Sequence, residues 1–296
     1  MPVHIGGHTP RSGGSGPVLC LSAVNAFPSE HLSSANRSAK DAERALKKYR
    51  WILNVAIDEY FNSGGGAPSS STAGNAKKVG DIWERFKDPS RNLITIEGFM
   101  NLCQELDIDP ESDIVLFCLA SDLGSKSIGE FAKEPFVSGW TDIDPGIDSV
   151  TKMKAALPHL RKKLNTDAAY FKKVYMHTFD LSKAEGARVL ALDTALSMWQ
   201  LFIPPAMAAK PSALSHVEAG QSPSGPATKN PSLLGESGFQ LWLDFQKSRN
   251  KAVSKDTWSL FIDFVRTIDA EFKEYDESAA WPSTIDEFVE YAREHR

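Results

Sequence analysis

The chain has 296 residues, 42% of them hydrophobic and 24% charged, with a formal net charge of −5. That balance belongs to a soluble globular protein and excludes fibrous or low-complexity classes. No apolar run approaches the roughly 20 residues needed to cross a bilayer, so no membrane role is expected. The acidity is local: Lys255 to Arg296 holds 11 acidic residues against 5 basic ones, a net of −6, which leaves the rest of the chain at +1. Such a face disfavours nucleic acid as its partner and points to a basic protein surface.

Residues 1–37 are rich in Gly, Ser and Pro without a sustained period, a composition that predicts disorder. The apolar run GPVLCLSAVNAF lacks a basic flank beyond Arg11, which argues against a signal peptide. Helical texture follows in SAKDAERALKKYRWILNVAIDEYFNS, where Ala42, Ala45, Leu46 and Tyr49 mark one face and Leu53, Ala56, Ile57 and Tyr60 another. Residues 64–76, within GGGAPSSSTAG and just beyond it, read as a flexible linker.

From Lys77 onward nearly everything is helical. Val79, Ile82, Trp83 and Phe86 form one stripe; Ile96, Phe99, Cys103 and Leu106 a second; Val115, Cys118, Leu119 and Asp122 a third. Val150, Met153, Leu157, Leu160 and Leu164 make a longer one, which Pro158 should kink or start. Phe171, Val174, Tyr175 and Thr178 follow, then Leu192, Ala195, Leu196 and Trp199. A short pairing of Leu93–Thr95 with Lys126–Ile128 is the one strand contact the pattern suggests, as between helix–loop–helix units. Six prolines then crowd residues 204–236, which predicts a disordered surface insertion without a packed helix. Helical text resumes at Phe239, Trp242 and Phe245, continues through Trp258, Phe261, Val265, Ile268 and Phe272, and ends with Ile285, Phe288, Val289 and Ala292. The fold class is all-α, with EF-hand-like helix–loop–helix pairs packed on a C-terminal helical bundle.

Enzyme signatures are missing. The sequence has no GxSxG elbow, P-loop, HExxH or paired CxxC, and its seven histidines are scattered. His159 and His177 read as boundary residues rather than ligands. The three cysteines, Cys20, Cys103 and Cys118, are odd in number and widely spaced; the last two fall on apolar stripes and read as core in a reducing compartment. DPSRNLITIEGF places oxygen donors at Asp88, Ser90 and Asn92 as an EF-hand does. However, Leu93 stands where the loop wants Gly and Phe99 where it wants a bidentate Glu, so a structural turn is expected and no metal. No catalytic residue and no cofactor are expected.

FKDPSRNLITIEGF, CQELDIDPES, SKDTWSLFIDF and YDESAAWPSTIDEFVEYAR together resemble the cullin-neddylation-potentiating (PONY) domain of the Dcn-like proteins, over about residues 77–296 apart from the insertion. The resemblance implies a scaffold-type E3 co-factor of the nucleus and cytoplasm. Such a co-factor holds a modifier-loaded, N-acetylated E2 beside the cullin winged-helix domain, so that a RING-box protein can direct transfer of the ubiquitin-like modifier to a cullin lysine. Ser38–Ser63 is similar to the later helices of a UBA-like domain, but no first UBA helix is evident upstream. A ubiquitin-binding adaptor therefore stands as a second reading, and a helix–loop–helix interaction module as a third.

The family's acidic cullin-binding patch falls on Asp256 of SKDTW, Ala280 of AAWP and Asp286 of STIDEF. The same residues have a local explanation. Ser283 with Asp286 reads as a capping box, and Asp256 lies in the first turn of a helix capped by Ser254. The two readings are compatible. The family's apolar pocket for the acetylated methionine of the E2 maps to Ile96, Phe99, Val115, Leu116 and Cys118, with Leu119, Leu123, Phe131, Leu181 and Leu201 completing it. Each of these is equally well explained as core. The chain is one residue longer than the family's usual spacing between Leu119 and Phe131, so the resemblance does not fix the rim around Gly124–Gly129.

Overall fold

Ten α-helices and one two-stranded sheet make up the residues described by the computed structural model, 70–217 and 232–295. The expectations for residues 1–37, for the helices of 38–63 and for 64–69 of the linker lie outside the described residues. The remainder of that linker is helical: α1 spans Ser70–Phe86, seven residues ahead of the Lys77 boundary. Val79, Trp83 and Phe86 bury one face of α1, and the small residues preceding them simply continue the winding.

The first half is two helix–loop–helix units, α1 with α2 (Ile96–Leu106) and α3 (Val115–Asp122) with α4 (Lys133–Ile143). Their loops meet through a reciprocal backbone pair, Ile94 and Phe131 each donating to the other at 3.0 Å. Trp83 Nε1 donates to the same Phe131 carbonyl at 3.0 Å, and the Phe131 ring lies 4.8 Å from Phe99. The predicted pairing with Lys126–Ile128 is therefore displaced. Residues 127–130 close a turn of their own, Ser127 bridging Glu130, with Gly129 at φ +75°; Phe131 is the first residue beyond it that can turn its side chain into the core. Gly98 explains how close α1 and α2 come, since a Cβ there would sit 2.0 Å from the Phe86 carbonyl oxygen. In the first loop Asp88 Oδ1 accepts from the Ser90 and Arg91 backbone N–H groups and from Ser90 Oγ. That carboxylate is committed to its own turn.

Short α3 is held at both ends. Asp113 takes a two-pronged bond from Arg161, while Asp122 accepts from Tyr170 and Lys173. The helices supplying these groups are α5 (Val150–Thr166), capped by Ser149, and α6 (Ala168–Ser182), capped by Asp167. Pro158 does not start α5; it lies inside the helix, on its exposed face.

The C-terminal bundle comprises α7 (Leu192–Ala208), α8 (Gly235–Arg249), α9 (Lys255–Thr267) and α10 (Ser283–Glu294). Strand β1 (Val189–Leu190), ahead of α7, pairs antiparallel with β2 (Val253–Ser254), ahead of α9. An aromatic stack ties these helices to α6. Tyr175 lies 4.1 Å from Trp258 at 9°, Trp199 lies 5.5 Å from Trp258, and Trp242 stacks 4.2 Å from Phe261.

The insertion is ordered at both ends, contrary to expectation. α7 runs through Pro204 and Pro205, which are exposed, because Phe202, Ile203 and Ala206 are fully buried on its other side. Ala213 and Leu214 enter the core. The Val217 N–H then donates to the Arg266 carbonyl at 2.7 Å, and Ser232 Oγ donates to the Val265 carbonyl at 3.0 Å. These carbonyls belong to the last turn of α9, where no intrahelical donor remains. The two ends of the insertion supply the missing donors.

Gln246 on α8 is fully buried, yet neither its Oε1 nor its Nε2 has a hydrogen-bond partner. Such a group destabilises by about 1–3 kcal/mol relative to an apolar one of similar shape. Gln246→Met is expected to raise stability by about 1 kcal/mol, read as a higher urea midpoint at unchanged slope.

Candidate partner-docking site

Asp256, Ala280 and Asp286 sit at the starts of the last two helices, and the aromatic framework positions them. In Ser254-Lys255-Asp256-Thr257-Trp258 the Ser254 hydroxyl accepts from the Thr257 N–H at 3.1 Å, closing the first turn of α9. Trp258 is fully buried; its Nε1 donates to the Tyr175 carbonyl at 3.0 Å, and Tyr175 Oη donates to the Trp258 carbonyl at 3.1 Å. With Trp258 inward, Asp256 faces solvent, and among the described residues it has no ion-pair partner. Its neighbour Lys255 is taken by Asp180 at 2.9 Å.

The second half of the site is the loop between α9 and α10. Phe272 does not continue the helical stripe expected of it, because α9 ends at Thr267; in the left-handed region at φ +57°, it drops from the loop into the core 5.7 Å from Phe288. Arg293 of α10 grips the loop, donating to the Phe272 carbonyl at 2.8 Å and to Glu277 at 3.1 Å. Asp269 accepts from the Glu271 and Glu274 N–H groups. Trp281 packs edge-on against Phe264 at 6.0 Å and stacks on Tyr275 at 6.2 Å, filling the space beside Ala279 and Ala280, which are exposed.

The expected capping box does not form. Pro282 supplies the extended cap residue of α10, Ser283 is already its first helical residue, and the helix has no side-chain cap. Asp286 accepts instead from the Tyr275 hydroxyl. Burial, and after it the Asp286 carboxylate, push that hydroxyl above the ordinary tyrosine range, so it stays a donor. Tyr275 is the neighbour of Asp286 that sequence reasoning missed; it lies eleven positions earlier in the chain, and no helical period links them.

Ala280 and Asp286 flank Trp281 and Pro282 in the chain, and Asp286 is linked through Tyr275 to the Trp281 ring. Asp256 shares no hydrogen bond or ion pair with either among the described residues. It stands about 12 Å along α9 from Phe264, the residue on which Trp281 and Phe288 pack.

The ten apolar pocket positions divide by exposure. Phe99, Val115, Cys118, Leu119, Leu123, Phe131 and Leu181 are buried, and Leu116 and Leu201 are half-buried. Ile96 is 58% exposed, with Met100 one turn along α2 and Ile128 across the loop also exposed. Gly129 lets this loop lie against Ile96, since a Cβ there would sit 3.1 Å from the Ile96 Cα. Ile96 therefore leaves the buried stripe expected of it; Leu102 takes that place. The Cys103 and Cys118 thiols are pushed up to about 12 by burial, with Asp113 adding to the shift at Cys103. Thiols so shifted are protonated at neutral pH and poor nucleophiles. Among the described residues no group of three or more His, Cys, Asp or Glu could hold a metal ion, and no helix is long and apolar enough to cross a membrane.

A family model described as "Cullin binding" matches residues 152–291, the stretch that contains all three acidic-patch positions. Over 263 residues, 88% of this chain and 90% of the relative, the sequence is 50% identical to "Defective in cullin neddylation protein 1" of Cryptococcus neoformans var. neoformans. It is 28% identical to the protein of that name in Mycosarcoma maydis, over 88% of this chain and 91% of the relative. To "DCN1-like protein 5" of Rattus norvegicus it is 30% identical, over 67% of this chain and 70% of the relative. The chain is a member of the cullin-binding, defective-in-cullin-neddylation family.

The two helix starts should respond differently to loss of their serines. Ser254→Ala removes a cap in use and should lower stability by about 0.5–2 kcal/mol. Ser283→Ala removes none and should change it by less than about 0.5 kcal/mol. Paired urea titrations of the full chain test this; equal losses would mean that Ser283 caps after all.

Proposed function

We propose that this chain is a non-catalytic scaffold for cullin neddylation. On this reading it binds the winged-helix domain of a cullin through Asp256, Ala280 and Asp286. It receives the N-acetylated terminus of a modifier-loaded E2 among the apolar side chains around Ile96, Phe99 and Phe131. The observation that carries it is the placement of two carboxylates, neither paired with a cation among the described residues, in the first turns of α9 and α10, beside Trp258, buried in the core, and Trp281, half-buried against Phe264.

The chemistry of transfer then belongs to the E2 and to a RING-box protein on the cullin. The scaffold raises effective concentration and fixes orientation, a contribution that needs no nucleophile or base. An acetyl group suits an apolar site because it removes the amine's charge, whose burial without a partner is costly. The exposed trio Ile96, Met100 and Ile128 provides an apolar edge beside that site. A carboxylate face meeting a basic cullin surface would speed encounter and make binding sensitive to salt. The protonated, buried thiols suit the reducing nucleus and cytoplasm.

The test is a pulse-chase transfer assay with E2 preloaded with modifier, cullin and RING-box protein present, and this chain added or omitted. Wild type should accelerate transfer, and a folded Asp256→Ala, Ala280→Arg, Asp286→Ala variant should not. Asp256→Ala with Asp286→Ala alone should weaken cullin binding about tenfold or more while leaving an acetylated E2 peptide bound. Equal transfer with and without the wild-type chain would overturn the proposal and bring forward ubiquitin binding through Ser38–Ser63, a segment outside the described residues.

A further inference from the structure

We propose that Tyr275 is a positioning residue for the docking face, its hydroxyl holding the Asp286 carboxylate in the orientation that meets the basic partner. This rests on the reading of Asp286 given above and adds to it the group through which Asp286 is set.

The carboxylates around Asp286 are held in other ways. Glu287 is paired with Arg249 at 3.0 Å and Glu277 with Arg293 at 3.1 Å. Asp276 accepts from the Ser278 N–H and hydroxyl in its own turn. Asp286 alone of these is held by a neutral phenol on another segment, through one oxygen, Oδ1. A neutral donor fixes a carboxylate without cancelling its charge. A cation in the same place would have spent the charge that a basic partner needs.

The bond is not required to build the local structure. α10 starts on the backbone of Pro282, whose carbonyl accepts from Ile285 at 2.7 Å. The loop is already fastened by Arg293 on the Phe272 carbonyl and by Phe272 against Phe288. The Tyr275 ring packs on Phe264 and Trp281, contacts a phenylalanine would also make. The hydroxyl is the part of Tyr275 that packing leaves unexplained, and the Asp286 carboxylate is its partner.

The experiment measures binding of the full chain to a purified cullin winged-helix domain by calorimetry, for wild type, Tyr275→Phe, Asp286→Ala and the double variant, with thermal melts as a folding control. Tyr275→Phe should bind about 3- to 10-fold more weakly, the range expected for losing one orienting hydrogen bond. Its salt dependence should match wild type because no charge is lost, whereas Asp286→Ala should flatten that dependence. Adding Tyr275→Phe to Asp286→Ala should cost nothing further, since the hydroxyl then has no carboxylate to orient. An undiminished loss in the double variant would show that Tyr275 acts through the fold and overturn the inference. Wild-type affinity for Tyr275→Phe beside weak binding by Asp286→Ala would overturn it while leaving the docking face intact. Wild-type affinity for Asp286→Ala would remove both. A readout needing no variant is the Tyr275 hydroxyl proton: slow exchange that persists in the complex is the expected result, and its loss on binding would overturn the proposal.

Discussion

The reciprocal bond between Tyr175 and Trp258 is the contact on which the rest of the molecule leans. Each side chain donates to the other's backbone carbonyl while the two rings stack face to face. Trp199 Nε1 adds a 2.7 Å bond to the Tyr175 oxygen, so α6, α7 and α9 share one buried, nearly satisfied polar knot. Polar groups this deep are costly unless their partners are in place, and a satisfied network then selects one packing over its alternatives. Because Trp258 lies two residues after Asp256, the orientation of the exposed carboxylate follows from the orientation of the indole.

The acidic face is organised by the same economy. Asp256 and Asp286 both stand in the first turn of a helix, where the macrodipole favours negative charge. Asp256 is exposed and Asp286 half-buried, and neither has a counter-ion among the described residues, which suits the partner role proposed for them. The neighbouring loop would ordinarily be the soft part of such a site. Here Arg293, Phe272 and the Asp269 turn fasten it, so the proposed docking would require less ordering on binding.

The insertion shows how a segment that looks dispensable can be structural at its ends. Val217 and Ser232 supply the donors that the last turn of α9 lacks, while Ala213, Leu214 and Leu234 contribute apolar surface. Proline and glycine content signals the absence of repeating backbone bonds. It carries no information about whether single donors are used elsewhere.

The sequence by itself determined the all-α class, the helical stripes and the cap at Ser254, because each depends on residues within a turn or two of one another. The combination KDTW with AWPxxxDxFVEYAR was enough to mark the family. Only the tertiary structure decided that Ser283 does not cap, that Asp286 answers to Tyr275, that Ile96 faces solvent and that Phe131 rather than Ile128 meets the first loop. Each of those outcomes turns on which distant group arrives within hydrogen-bond or van der Waals range. Period and propensity, which describe the chain only along its own length, hold no record of that arrival.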